Sequence, residues 1–303
     1  MVEVTNADRV VFPEVNRTKG DVVAYYERVA PRMLPHLLER PLSIRRYPKG
    51  LAGAGFFQKN VPPHYPESIR RWVVEREKGK TVYPLLSSAD DLVYLANQGA
   101  IEFHVPTARA AAGFRPDRLV IDLDPPPGTF SLVRRAALLT RDALGELGLA
   151  SVPIATGSKG YHLVSAIAPE LDAGELALAI QKFAALLVAA HPDTLTGVFR
   201  VAQRGGKVFV DWMRNAPLAT VVVPYSLRAT PRATVAAPLD WDEIERVDPD
   251  AFGIADVERL LARSDSLLEL AKTPADPRRF ASAADAAFER SGLVLEPFDR
   301  FRS

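Results

Sequence analysis

The 303-residue chain contains no cysteine, which excludes a disulfide framework and any thiolate metal site. It also lacks a large charge of either sign: the net charge is +1, which neither argues for nor against a nucleic-acid partner. The first residues, Met1-Val2-Glu3-Val4-Thr5-Asn6, carry no basic-then-apolar leader, and no run of about 18 apolar residues stands out as a membrane span. A cytoplasmic protein with no membrane partner is therefore expected. Internal repeats and low-complexity tracts are also missing. Hydrophobic content of 48% and charged content of 25% are ordinary for a globular chain with material for one large domain or two small ones. Charge is uneven along the chain. Residues 1–60 hold ten Lys or Arg against six acids, whereas 240–258 holds eight acids against one Arg. A basic N-terminal part suits a phosphate-bearing ligand, although ordinary surface variation gives the same pattern.

Local patterns predict mixed helices and strands without strict alternation, hence an α+β fold. Thr18-Lys19-Gly20-Asp21 reads as a helix start, with Thr18 as N-cap and Asp21 as a weaker stand-in for the capping-box glutamate. That helix runs through Val22, Val23, Tyr26 and Val29, and Pro31 and Pro35 are expected to break its later part. Strands are expected at 42–44, 101–105, 118–123, 151–155 and 161–166, and helices at 90–97, 131–147 and 173–190. Residues 207–212 and 220–223 are expected to pair with each other. The acidic tail from 240 reads as mostly helical, with 274–285 a linker before a short last helix.

The most informative run is Val120-Ile121-Asp122-Leu123-Asp124-Pro125-Pro126-Pro127. In a strand, Asp122 and Asp124 point to one face and Ile121 and Leu123 to the other. Two fixed carboxylates on one patch suit a hard divalent cation such as Mg²⁺ or Mn²⁺; two solvated aspartates at a strand end are the alternative. Asp211, at the end of the apolar run Val208–Val210, is a candidate third carboxylate for a two-metal site of the kind used in phosphoryl transfer, or a strand-end cap. Thr156-Gly157-Ser158-Lys159-Gly160-Tyr161-His162 lies between two strands. Its glycines allow backbone N–H groups to approach a phosphate, and Lys159 and His162 add cationic donors; a plain hairpin turn fits equally. It is not a Walker loop, since the spacing differs and no helix follows at once. Arg46, Lys59, Arg204, Lys207 and Arg228 form a dispersed cationic set, each of which is either a phosphate ligand or a solvated charge. His104 is open in the same way.

Taken in order, Thr18–Asp21 with Tyr25-Tyr26, Arg40-Pro41, Phe56-Phe57-Gln58-Lys59, Ala96–His104, Asp122-Leu123-Asp124-Pro125, Lys159-Gly160-Tyr161-His162, Arg204-Gly205-Gly206, Asp211-Trp212-Met213-Arg214-Asn215 and Pro224-Tyr225-Ser226-Leu227-Arg228 resemble one family. It is the polymerase domain attached to bacterial DNA ligase D, in the archaeo-eukaryotic primase superfamily. The resemblance runs from Asn6 to about Arg263. It implies an archaeo-eukaryotic primase-like catalytic core with an RRM-like sheet at about 116–273. An N-terminal α/β module at about 1–115 packs with the core as one unit, mixed and antiparallel sheets are flanked by helices, and 274–303 follows as linker and short helix. No Lys-x-Asp-Gly ligase motif is present, so a stand-alone member or an isolated domain is expected.

The resemblance also implies roles. Asp122, Asp124 and Asp211 would bind two divalent cations, Mn²⁺ or Mg²⁺, and carry catalysis. Lys59, His104, Thr156, Ser158, Lys159, His162, Arg204 and Arg228 would hold the incoming NTP or dNTP. Phe56 and Phe57 would stack on template bases. Asn6, Arg9 and Lys19 would grip a 5′-phosphate at a gap or broken DNA end, with Arg214 also on the DNA side. The implied reaction adds nucleotides, ribonucleotides preferred, to a primer 3′-hydroxyl, with a separate DNA ligase and a Ku-type end-binding protein as possible partners. Three departures stand out: Thr156-Gly157-Ser158 where the family has Ser-Gly-Gly, Val105-Pro106 where it has Pro-Trp, and Arg9 where it has Lys. Two other readings remain. One is a non-catalytic end-bridging module. The other is a haloacid-dehalogenase-type phosphatase, whose Asp-x-Asp signature Pro125–Pro127 separates from Gly128-Thr129.

Overall fold

Residues 3–113 and 115–295 are described by the computed structural model. The chain forms two units, each gathered from separated stretches: Met1–Val105, Thr220–Ala237 and Asp250–Ser264 make the first, and Pro106–Ala219, Pro238–Pro249 and Asp265–Ser303 the second.

In the first unit, β1 (Val10–Phe12) pairs with β2 (Arg17–Thr18), which runs directly into α1 (Lys19–Leu37). The expected helix start is complete: Asp21 N donates to Thr18 Oγ1 at 3.2 Å and Thr18 N donates to Asp21 Oδ2 at 2.8 Å. The shorter aspartate therefore closes the capping box as a glutamate does. Contrary to the sequence expectation, α1 continues through Pro31 and Pro35. Each interior proline costs a helix about 3 kcal/mol, but burial of Val22, Val23, Tyr26, Val29, Met33 and Leu37 along one stripe offsets that cost. Next come β3 (Ser43–Arg46), β4 (Phe56–Gln58), the hairpin of β5 (Arg70–Arg76) and β6 (Gly79–Leu85), α2 (Ala89–Asn97) and β7 (Ala100–Val105). A four-stranded sheet orders Val221–Val222, β7, β3 and β4. The buried Tyr26 hydroxyl donates to Ile101 O at 2.5 Å and accepts from Leu227 N at 3.0 Å, joining α1 to β7 and to the later stretch of the unit.

The second unit contains β8 (Arg118–Asp124), α3 (Phe130–Glu146), β9 (Val152–Ala155), β10 (Tyr161–Ala166), α4 (Ala173–Ala190), β11 (Leu195–Thr196) and β12 (Val208–Asp211). The order is β11-β12-β8-β10-β9, antiparallel except for the parallel β11–β12 pair. β10 and α4 have the bounds the sequence predicts. The expected pairing of 207–212 with 220–223 is overturned: β12 pairs with β8, and Val221–Val222 pairs with β7. The short spacing suggested a hairpin, but β8 offers β12 a longer apolar partner. The expected linker is largely helix Pro277–Ser291, capped by Asp276 and packed through Phe280 on Phe183 of α4. α4 itself is long and apolar enough to cross a membrane by length and composition, with mean hydropathy 1.6 over 18 residues. Its apolar face is instead buried at Leu176, Ile180, Phe183 and Leu187, and its Lys182 pairs with Asp285 at 2.8 Å. Helices and mixed sheets not in strict alternation make the fold α+β.

Candidate active site

β8 is the middle of the second unit's sheet, and its register sets the site. Asp122 lies directly opposite Asp211 on β12 and directly opposite His162 on β10. Residues opposite each other on adjacent strands share a face, so His162, Asp122 and Asp211 form one row across three strands. Asp122 and Asp211 are each 6% exposed. Burial disfavours the Asp122 carboxylate, yet His162, with Nε2 3.5 Å from Oδ1, and Arg214, with Nε 3.0 Å from Oδ2, outweigh it and hold its pKa at about 2. Asp211 goes the other way. Burial first, then the charge of Asp122, push it up to about 6. This happens although Arg214 Nε lies 3.2 Å from its Oδ2 and Met213 N donates to its Oδ1 at 2.9 Å. The row sets two carboxylates against one guanidinium, with the His162 ring beside Asp122.

Asp124, one pleat along β8, is half-buried. Lys159 Nζ lies 3.3 Å from Oδ1 and Arg204 Nη1 3.8 Å from Oδ2. Arg204 also donates to the carbonyls of Val198 and Phe199 and lies over the Phe209 ring at 4.1 Å. In the 156–160 loop, Gly157 takes φ +66, a turn conformation glycine adopts without strain. The Thr156 hydroxyl donates to Gly160 O at 2.7 Å, so it closes the hairpin. Ser158 is half-buried and Lys159 exposed beside it. Asn215, fully buried, accepts from Val120 N at 2.8 Å and donates to Val120 O at 2.6 Å. It clamps the turn after Asp211 onto the strand that carries Asp122.

The donor chemistry fits a divalent cation. Three hard carboxylates stand on adjacent strands, and one of them is raised by burial and then by its neighbour's charge, which a cation would relieve. Among the described residues, no three acidic or histidine side chains gather as a ready-made metal-ligating group, and Arg214 bridges Asp122 and Asp211. Arg214, expected on the DNA side, faces both carboxylates.

The remaining predicted residues lie in the first unit. His104, Arg228 and Arg45 surround the buried Glu102. Phe56 and Phe57 are exposed on β4, with Arg46 over the first ring and Arg45 over the second, both at 5.7 Å. Lys59 follows them, exposed. Arg46, in the sequence's cationic set, is structural: it donates to Gln98 O at 2.9 Å and Gln58 Oε1 at 2.6 Å. Near the N-terminus, exposed Asn6 has φ +51 and its carbonyl accepts from Arg9 N at 3.1 Å. Lys19 is buried with Nζ donating to Thr5 O and Oγ1 at 2.5 and 2.9 Å, and its pKa is lowered by burial and then by Arg9. Sequence reasoning quoted Glu102 and Asn215 within motifs but gave them no role, and missed Arg45. For Glu102, the signal was a carboxylate two places before His104 in an otherwise apolar strand.

Residues 18–268 match the family model for the LigD primase-polymerase domain. The chain is 36% identical over 277 residues to the multifunctional non-homologous end joining DNA repair protein LigD of Mycobacterium tuberculosis, covering 88% of this chain and 36% of that protein. It is 31% identical over 279 residues to the bifunctional non-homologous end joining protein LigD of Bacillus subtilis, covering 91% of this chain and 45% of that protein. It thus spans less than half the length of these relatives. Among solved structures, the polymerase domain of Mycobacterium tuberculosis ligase D in complex with DNA superposes with a TM-score of 0.84 at 34% identity, over 90% of this chain and 99% of that one. The fold is that of the LigD polymerase domain, a polymerase-type enzyme. The chain belongs to the LigD primase-polymerase domain family.

Proposed function

We propose that this protein is a metal-dependent, DNA-directed nucleotidyltransferase. It adds nucleotides, ribonucleotides in preference to deoxyribonucleotides, to a primer 3′-hydroxyl at gaps or broken ends carrying a 5′-phosphate. The observation that carries this reading is the row His162–Asp122–Asp211, with Asp211 pushed up to about 6 by burial and by Asp122. Asp122, Asp124 and Asp211 would hold the two divalent cations, which supply activation of the attacking hydroxyl and neutralisation of charge at the transferring phosphate. Lys159 and Arg204, already on Asp124, would exchange that carboxylate for triphosphate oxygens. His162 holds Asp122 ionised from the opposite strand. The exposed rings of Phe56 and Phe57 offer stacking faces for unpaired template bases. The sugar preference rests on the family likeness and would be read through the 2′-hydroxyl, the group that distinguishes RNA precursors. The relatives' names support a place in end joining, with a separate ligase and a Ku-type end-binding protein as partners. Primer extension with Mn²⁺ on a gapped, 5′-phosphorylated duplex tests the reading. Asp122→Ala and Asp124→Ala should each abolish extension while DNA-end binding persists, and full activity in either variant overturns it.

A further inference from the structure

In the first unit, one buried carboxylate has no role in the reading above. Glu102 stands on β7 with its side chain 3% exposed, opposite Arg45 on β3. Its Oε2 accepts from His104 Nε2 at 2.9 Å. Its Oε1 accepts from Ala229 N at 2.8 Å and faces Arg45 Nη1 at 3.5 Å and Arg228 Nε at 3.6 Å. We infer that Glu102 is a positioning residue, fixing His104 in its Nε2–H tautomer and holding Arg228 and Arg45 in the orientation in which they receive the phosphates of a nucleotide. This rests on the proposed function and adds to it a group that organises the nucleotide contacts of His104, Arg228 and Arg45.

Three features support the inference. First, an ionised carboxylate only accepts hydrogen bonds, so the nitrogen facing it must carry the proton. Burial favours the neutral acid, but the His104 hydrogen bond, Arg228 and the Ala229 amide outweigh it and hold Glu102 at about 2, ionised at any working pH. Second, exposure rises outward from Glu102, to 12% for the His104 side chain, 19% for Arg228 and 38% for Arg45. One buried negative charge thus anchors the His104 imidazole and two more accessible guanidiniums, Arg228 and Arg45, which suit a polyanion. Third, the exposed Phe57 ring meets His104 edge-on at 5.5 Å and Arg45 lies 5.7 Å from its centroid. An aromatic face beside a cationic layer matches the two halves of a nucleotide, base and phosphate. Holding the cations before the ligand arrives removes an ordering cost from binding.

Glu102→Gln makes a directional test. Three donors face Oε1 and one faces Oε2, so the amide oxygen should take the Oε1 position and turn its NH₂ toward His104. The imidazole must then accept at Nε2 and carry its proton on Nδ1. ¹⁵N-resolved NMR of His104 should show Nε2–H in the wild type and Nδ1–H in the variant. In primer extension, the KM for NTP should rise about tenfold while kcat stays within about threefold, the signature of lost binding. Glu102→Asp keeps the charge and should show a smaller KM rise with the wild-type tautomer. An unchanged tautomer in Glu102→Gln, or an unchanged KM, overturns the inference. If that variant does not fold, an unchanged KM in Glu102→Asp does so. A wild-type protein that neither binds NTP nor extends a primer overturns the functional reading as well, so the two failures are distinguishable.

Discussion

Gly160→Ala should disable the protein from a position with no chemistry of its own. Gly160 does not have positive φ, so its backbone alone would accept alanine. What forbids a side chain is space: a Cβ there would overlap the Leu123 carbonyl oxygen and sit 3.3 Å from Pro125 Cδ. Neither obstacle can swing away, since Leu123 is backbone of β8 in register with Tyr161 and Pro125 is the rigid exit from the same strand. Gly160 is held from its other side too, because its carbonyl accepts from the Thr156 hydroxyl at 2.7 Å and the Thr156 amide at 3.2 Å. The substitution must therefore part β10 from the end of β8, or break those two bonds. Overpacking costs about 1–3 kcal/mol, and each lost hydrogen bond adds about 1 kcal/mol. A loss of about 3–5 kcal/mol is expected in urea titration, together with loss of extension on the gapped duplex. Asp124 follows Leu123, and Lys159 precedes Gly160, so the distortion falls inside the proposed centre. A variant within about 0.5 kcal/mol of wild type, the range of an ordinary surface substitution, and fully active would refute the steric argument.

Tyr26→Phe removes a buried hydroxyl that donates to Ile101 O and accepts from Leu227 N, and should cost about 1–3 kcal/mol in denaturant titration. Asn215→Ala leaves both backbone groups of Val120 unpaired; a loss of about 2–4 kcal/mol is expected by the same assay, with extension falling because Asp211 loses its clamp to β8. Glu102 gives a pH signature. Its folded pKa, about 2, lies below the ordinary 4.5, so its stabilisation is fully present above about pH 4.5 and is lost as pH falls toward 2. The shift corresponds to about 3 kcal/mol. The stability gap between wild type and Glu102→Gln should accordingly narrow by about 2 kcal/mol between pH 7 and pH 3, and a pH-independent gap would contradict the ion-pair account.

What was legible in the sequence was local. A carboxylate three places after Thr18 closes its capping box through nearby backbone, and the apolar runs at 161–166 and 173–190 become β10 and α4 at the expected bounds. Asp122 and Asp124 share a face because a strand has period two, which needs no knowledge of the fold. What was not legible depended on partners distant in the chain. Pro31 and Pro35 stay helical because the stripe of α1 is buried, and 207–212 pairs with β8 because a better partner lies far back in sequence. The glycines of the 156–160 loop show the limit most sharply. Sequence alone left them open between phosphate approach and a plain hairpin turn; the structure adds that Gly157 is needed for its φ and Gly160 for the nearness of Leu123. Asp211 and Arg214 show it in electrostatic form. An aspartate ending an apolar run can be a cap or a ligand, and only the register places it opposite Asp122, where burial and a like charge raise it to about 6. The same register makes Arg214 an internal counter-charge before it can be a DNA contact. A divalent cation entering that row must therefore compete with Arg214 for Asp122 and Asp211, and removing the guanidinium should strengthen metal binding while weakening the metal-free fold.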